Sequence, residues 1–498
     1  MTETLVSLTT VAVYLLVLAG IGIWSFRHAG TDPVSYFLAG RGLQSWVLTL
    51  TMLATLLSAF TFIGIPADGY THGLGIFLGV GVTDAFISVL FLLLGYRLWL
   101  AARQFQFITP SEFFGHRFNS PLLALLYSLS ALLFTAPYIS IQIIAGARTL
   151  SAVLGDGIPY WPLAVVMAVV ILAYVWMGGS QAVVWTDVVQ GIILVSGMVL
   201  AFVAISRQIP ADGTVDLHAW LSVPGPTGRW NWQGLLGYQL LIFMAVPLFP
   251  QIFQRFYMAK NAQVFKNMMV VWPALIGLVF FPATLIGVWG RLSYPQLERA
   301  DQIMPLMLQT LPTGISALVI VAVLAALMST ADSQLLTTSS LVTRDIVLRY
   351  LNRQLSPAQE QRWGRIVVLV IGLISFAIAI HPPGVIVDIA TWSFQGSAML
   401  FPVLVAGLYW RRTSRAGAVA GGLVSSGLTL GWLAGVLPSS WTGGWLPVIP
   451  AVVIGTVVLI GVSLCTPPLT AQVAAYGAVW EDGASPAATA DTPTATFD

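Results

Sequence analysis

The feature that most constrains this chain is a series of thirteen long apolar runs, each long enough to cross a lipid hydrocarbon core. They fall at about 5–25, 44–70, 74–97, 121–145, 160–177, 182–205, 235–257, 267–290, 314–343, 364–381, 385–410, 416–436 and 446–465. A core of ~30 Å needs ~20 helical residues. The runs lack the alternation in roughly ten-residue segments that marks a transmembrane barrel. Only 8% of the 498 residues are charged, against roughly 25% in soluble domains, so there is too little charge to wet a soluble surface. A net charge of +2 gives no reason to expect nucleic acid. The single Cys465 offers neither an internal disulfide nor a thiolate metal cage. The first run has no basic segment ahead of it and no small-residue cleavage site, and reads as a retained helix.

Lys and Arg collect in cytoplasmic loops, and this gives the bundle a direction. With the N-terminus outside, the inner loops hold sixteen of the 21 basic residues, and the outer face keeps Arg148, Arg207, Arg229, Arg291 and Arg299. The expected organisation is an extra helix and first cytoplasmic loop (1–43), a five-helix unit (44–205), an outer loop (206–234), a second five-helix unit (235–410) and two further helices (411–465). A disordered cytoplasmic tail (466–498), rich in Ala, Thr and Pro, follows. The bundle belongs in a lipid bilayer of the cytoplasmic-membrane type. Gly427, Gly431 and Gly435, preceded by Gly417 and Gly421, form a small-residue stripe for close helix packing. That packing is expected within the monomer, with a dimer contact as the alternative.

Two spans break the apolar pattern in corresponding ways. The second contains Ser58, Thr61, Gly64 and Pro66; the seventh contains Pro247 and Pro250. Proline removes a backbone donor, so both helices are expected to unwind locally. Each opens a run of five helices, spans 2–6 and 7–11, which is the pattern of a transporter built from inverted repeats.

The ninth span, AALMSTADSQLLTTSS, places Ser329, Asp332 and Ser333 on one helical face, with Thr330 and Thr337 beside it. Serine and threonine in apolar helices often bond back to their own backbone. An aspartate there costs about 2.5–3.5 kcal/mol on insertion scales, so it needs a cation or a water-lined cavity. Asp187 in the sixth span and Asp84 in the third raise the same demand. No Lys or Arg is expected at mid-span, so cations are their expected partners. Gln142, Gln251 and Gln395 are further polar groups at depth.

The residues that carry chemistry stand in a recognisable order. SYFLAGRGL at 35–43 leads into the second span through GIPADGY, followed by ITPSEFFGHRF at 108–118 and YVWMGGSQAVVWTDVVQG at 174–191. LMSTADSQLLTTSS at 327–340 and GLYWRRTSRAGAVAG at 407–421 complete the series. Together these resemble the sodium:solute symporter family over about residues 5–465. The resemblance implies an all-α membrane fold with a LeuT-like core of two inverted five-helix repeats, coupling sodium entry to uptake of a small solute. It implies a sodium site from carbonyls of Ala54, Leu57 and Ala326 and hydroxyls of Ser329 and Thr330. It also offers Asp187 and Ser333 for the additional sodium site of some members, but with Asp332 where those members carry a hydroxyl. A second sodium, a proton and a structural carboxylate all fit that departure.

For the solute, FTAPYISIQIIAG at 134–146 resembles the monocarboxylate and pantothenate branches, and the proline branch is similar. Sialic-acid carriers have an arginine aligning near Tyr138. Sugar carriers use more polar pocket residues than Ile76, Val80 and Thr83 supply. The expected solute is a small organic acid or amino acid. Candidates to touch it are Ser58, Thr61, Thr83, Asp84, Tyr138, Gln142, Gln251 and Gln395, aided by amides at a half-helix N-terminus. The alternatives are another solute class, such as a sugar or vitamin, proton coupling, or a sensor that does not transport. A channel would need a selectivity ring, and none is visible in the sequence. No HExxH, GxSxG or P-loop supports an enzyme.

Overall fold

Lipid offers no partners to backbone amides and carbonyls, so each apolar run satisfies its own in a helix. The computed structural model describes residues 2–28, 33–154, 158–177, 180–209, 217–351 and 355–480. In chain order the main helices are α1 (Thr2–His28), α2 (Ser45–Leu56), α3 (Phe60–His72), α4 (Phe77–Phe105), α5 (Pro121–Leu154), α6 (Tyr160–Met177), α7 (Ser180–Ser206) and α8 (Trp232–Leu248). They continue with α9 (Pro250–Phe256), α10 (Gln263–Ser293), α11 (Thr313–Leu341), α12 (Pro357–Ile380), α13 (Ile386–Tyr409), α14 (Arg415–Leu433) and α15 (Val448–Cys465).

Among the described residues ten helices are individually long and apolar enough to cross a bilayer, or twelve with each bent pair counted as one span. The shorter α6 stands where the remaining expected span falls. The bent pairs are α2–α3 and α8–α9, each turning by 58°. They open the two five-helix repeats, as the proline and glycine positions lead one to expect. The entry to α2 is stitched to the exit of α9: Leu43 N donates to Met258 O at 3.0 Å, and Lys260 N donates to Leu43 O at 2.9 Å.

Burial separates core from periphery. The apolar window of α11 is 78% buried and that of α1 17%. Side chains such as Leu16, Val270 and Leu373 are exposed on helices with no other reason to be apolar, and they face lipid. Close crossings depend on missing side chains. A Cβ on Gly69 of α3 would sit 2.7 Å from the Thr284 carbonyl of α10.

Two expectations are corrected here. The α14–α15 crossing uses Gly417 and Gly421 against Leu459 and Gly455, while a Cβ on Gly427 would meet nothing within 4 Å and one on Gly431 would meet Leu437. Within the monomer the stripe therefore packs through its first members. The tail does not become disordered at 466. Helices Thr470–Ala475 and Gly477–Trp480 follow, and Tyr476 is fully buried, its ring 4.7 Å from Phe105 and its hydroxyl 3.1 Å from His116 Nδ1. Two aromatic side chains, Tyr476 and Trp480, bury enough surface to dock a segment of otherwise unpromising composition. Residues 481–498 of the expected tail lie outside the described residues.

Candidate cation and solute site

The break between α2 and α3 strips four carbonyls of their helical partners. Leu57 N makes the last regular bond, to Leu53 O. Leu57 itself is extended, with ψ 116°. The next amides turn elsewhere: Ser58 N to Thr61 Oγ1 (3.4 Å), Ala59 N to Gln142 Oε1 (2.9 Å), Phe60 N to Ser58 Oγ (3.1 Å) and Thr61 N to Ser58 O (2.9 Å). A buried carbonyl left unmet is costly. Helix α11 answers it. Ser329 Oγ donates to Ala54 O at 2.8 Å and lies 3.3 Å from Ala326 O; Thr330 Oγ1 reaches Thr55 O at 3.1 Å and Leu57 O at 3.2 Å. The five oxygens expected for sodium thus lie, all buried, in two hydrogen-bonded sets between α2 and α11, one on Ser329 and the other on the next residue, Thr330. All are neutral, a donor set that suits a weakly held hard monovalent cation.

Beside them lies a charged cluster that overturns one expectation. Asp187 was expected to lack a basic neighbour. Instead Arg255 Nη2 meets Asp187 Oδ2 at 2.6 Å, with the two side chains 3% and 0% exposed. The basic residues were assigned to loops, yet Arg255 lies one helical turn past Gln251 on α9, and the bend at Phe249 carries it inward. Thr51 donates to the same oxygen at 2.6 Å and Thr55 approaches at 3.4 Å. Arg255 also donates to Ser333 Oγ (2.7 Å), which in turn donates to Asp332 Oδ1 (3.2 Å). Asp187, Asp332 and Ser333 are therefore brought together as expected, but around an arginine. The cluster holds two carboxylates for one guanidinium. Asp187 Oδ1 and Asp332 Oδ2 have no hydrogen-bond partner among the described residues. At its edge Gln190 donates to the hydroxyl of Tyr14 from α1 at 2.8 Å. Arg255, Thr51, Gln190 and Tyr14 were missed. The four-residue spacing of Thr51 and Thr55 was the available signal.

Of the solute candidates, Ser58, Thr61, Tyr138 and Gln142 gather at the break. Ser58 Oγ is 3.0 Å from Tyr138 OH. Phe249, Phe394 and Phe60 wall this group, with ring separations of 5.2 Å for Phe249–Phe394, 5.4 Å for Phe60–Phe394 and 5.4 Å for Tyr138–Phe394. Gln251 is buried in the first turn of α9. Three candidates stand apart in their bonding. Gln395 accepts from Val448 N (3.2 Å), a packing bond to α15; Thr83 bonds back to Gly79 O (3.1 Å). Asp84 is buried with Oδ1 unpartnered among the described residues, and its backbone carbonyl accepts from Trp272 Nε1 at 2.8 Å.

Polar contacts shut both faces over this centre. On the side of loop 206–234, the fully buried Trp230 donates to Asp68 Oδ1 of α3 at 3.1 Å. Arg229 lies 3.7 Å from Asp68 and from Asp388 of α13, and donates to Tyr238 OH of α8 at 2.6 Å. On the opposite side Asp345 accepts from Thr109 (3.1 Å) and Ser128 (3.0 Å), and Arg344 bridges Glu112 (3.6 Å) and Glu360 (3.1 Å).

Comparison with known proteins places this architecture. The profile of the Sodium:solute symporter family matches residues 36–425. The sodium/pantothenate symporter of Haemophilus influenzae is 26% identical over 429 residues, covering 83% of this chain and 88% of that protein. The sodium/proline symporter of Staphylococcus aureus is 26% identical over 484 residues, covering 92% of each. Among solved structures, the outward-open, substrate-bound state of a Na+-coupled sialic acid symporter superposes with a TM-score of 0.75 at 24% identity, over 93% of this chain and 98% of that one. With two bent helices opening two repeats and a profile match over well over half its length, this chain belongs to the sodium:solute symporter family, a family of transporters and not of enzymes, and sodium is its coupling ion.

Proposed function

We propose that the chain imports a small carboxylate-bearing solute, an organic acid or amino acid, with sodium bound by the Ala54, Leu57 and Ala326 carbonyls and the Ser329 and Thr330 hydroxyls. One observation carries the cation assignment: the hydroxyls of α11 reach the carbonyls that the break in α2–α3 releases. A cation there joins the two repeats, one contributing α2 and the other α11. Its binding favours the arrangement in which they touch, which is how a gradient does work on an alternating-access carrier. The cluster of Asp187, Asp332 and Ser333 takes one further cation, since one arginine leaves two carboxylates a charge short of neutral.

The solute sits at the break. The first amides of α3 form the positive end of a helix dipole and now rest on Gln142 Oε1 and Ser58 Oγ. A carboxylate can replace those neutral acceptors with a charged one at little geometric cost. Tyr138, Thr61 and Gln251 supply further polar contacts, and Phe249 and Phe394 cover the apolar part. Pantothenate and proline, the solutes named for the relatives, each carry a carboxylate, which supports this reading. The membrane is the cytoplasmic one, with the N-terminus outside and residues 466–480 inside, supported by the partition of basic residues. Cys465 is exposed at the end of α15, so an impermeant maleimide should label it in inverted vesicles and not in intact cells.

The deciding experiment is uptake into proteoliposomes under a sodium gradient, with pantothenate, lactate and proline as probes. Uptake of at least one should require sodium. Equal uptake after choline replaces sodium and the pH gradient is collapsed would sink the coupling mechanism.

A further inference from the structure

Of the five basic residues on the face of loop 206–234, three line one cavity. Arg148, Arg291 and Arg299 surround a space of about 570 Å³ together with Tyr70, Thr71 and Thr227. Glu298 and Asp301 share the lining, so charges must be paired off before their number means anything. Arg148 is spent: it forms an ion pair with the fully buried Asp301. Burial pushes Asp301 above the ordinary carboxylate value, and Arg148 pulls the other way.

Arg291 is held without being neutralised. Its guanidinium lies 4.6 Å from the Tyr70 ring and 4.9 Å from the Trp220 ring, and Nη1 donates to the Pro295 carbonyl at 2.8 Å. Ring faces and a carbonyl orient a cation but leave its full charge in place. Arg299 is exposed on the rim, and neither it nor Arg291 forms an ion pair with a carboxylate among the described residues. Glu298, also exposed, is the lining's one carboxylate outside an ion pair, so two unpaired guanidiniums face one unpaired carboxylate.

The position of the cavity matters as much as its charge. Its Tyr70 and Thr71 belong to the last turn of α3, whose first turn borders the break. Thr227 precedes the Arg229–Trp230 closure by two residues, and Gly384 and Val385 lead into α13. A ligand here touches the elements that the closure ties together. The volume lies within the ~300–1,000 Å³ of small-molecule sites, and planar guanidiniums recognise carboxylates by paired hydrogen bonds.

We propose that this cavity is a receiving site for small carboxylate anions, occupied before the solute passes the Trp230 closure, with Arg291 and Arg299 as its anion-binding groups. The proposal rests on the reading that the cargo carries a carboxylate, and it deepens that reading by adding a second, outer binding station.

The test is calorimetric binding of pantothenate to the purified full chain in choline buffer, where the coupled site lacks its ion. Panthenol, the uncharged alcohol analogue, is the control. Wild type should bind pantothenate and not panthenol, and Arg291→Gln with Arg299→Gln should weaken pantothenate about tenfold or more. Arg299→Gln alone, at an exposed position that folding does not need, should give part of that loss. Absence of pantothenate binding in choline, equal binding of panthenol, or an unchanged affinity in the double variant each overturns the proposal. Failure of the cargo reading shows elsewhere, as absence of sodium-driven uptake of any carboxylate. Vestibular binding without such uptake would uphold the receiving site and refute the cargo.

Discussion

The two helix breaks share a bend of 58° and differ in chemistry. At the first, Leu57 is extended at φ −75°, ψ 116°; at the second, Phe249 turns the chain at φ −57°, ψ 126°. The first leaves carbonyls and amides that side chains must satisfy, and it draws hydroxyls from α11, Gln142 from α5 and its own Ser58. The second has fewer amides to satisfy. Pro247 and Pro250 bring no N–H, the Leu248 carbonyl accepts Tyr127 OH at 2.9 Å, and the Phe249 ring stands against Tyr138 and Phe394. One break is the proposed ligand set. The other is a wall and a pivot, and its short helix α9 sends Arg255 across to the cluster beside the first. Equal geometry in two repeats thus does not imply equal roles.

The largest effect should come from that crossing side chain. Arg255→Ala leaves Asp187 buried without its counter-charge, a change worth about 3–5 kcal/mol in comparable buried pairs. Thermal unfolding in detergent should show a large loss, with much of it recovered in Arg255→Gln combined with Asp187→Asn. If the single variant were as stable as wild type, Arg255 would not be the charge that holds the second break to the first.

Next comes the difference between ligand set and pivot. Ser329→Ala with Thr330→Ala removes both hydroxyls facing the released carbonyls and should raise the sodium concentration for half-maximal uptake about tenfold or more, equivalent to about 1.4 kcal/mol. Pro250→Ala should leave that concentration within about twofold and alter turnover instead, because it touches no cation oxygen. A change confined to solute affinity at saturating sodium in the hydroxyl variant would show that the cation binds elsewhere.

How far the sequence could be read follows the same division. Both breaks were legible because glycine and proline act locally. The face of Ser329, Asp332 and Ser333 was legible because helical spacing is local too, whereas joining Thr330 to Ser329 rested on the family resemblance. Arg255 was not legible. Its partner is 68 positions away, and a basic residue near a helix end reads as a loop residue until the bend is known. Gln395 stands apart for a related reason: spacing puts an amide on a face but does not say which helix that face meets, and here its Oε1 meets α15. Residues 466–480 were misread because composition was averaged over a tail in which Tyr476 and Trp480 dominate. The outer cavity left only a trace, five arginines assigned to one face, of which Arg148, Arg291 and Arg299 come together only in the folded chain.

The smallest expected effect sets the outer closure against the inner pair, which uses the same residue types. Arg229 is 27% exposed and 3.7 Å from Asp68, while Arg255 is 3% exposed and 2.6 Å from Asp187. Water reaches Arg229 although not Asp68, which is 2% exposed but keeps the Trp230 Nε1 donor, so this longer, half-wetted contact contributes less than the short buried one. Arg229→Gln retains a donor toward Tyr238 and should shift the unfolding midpoint far less than Arg255→Ala. It should also leave the sodium dependence of uptake unchanged, since no cation oxygen lies on that face. What it should change modestly is the rate at which the closed mouth opens, seen as about a twofold to threefold gain in labelling of a cysteine placed at Thr71. That gain is the size of a fraction of 1 kcal/mol taken from the closed state. A stability loss equal to that of Arg255→Ala would mean that the outer closure, rather than the link between the two breaks, holds the repeats together.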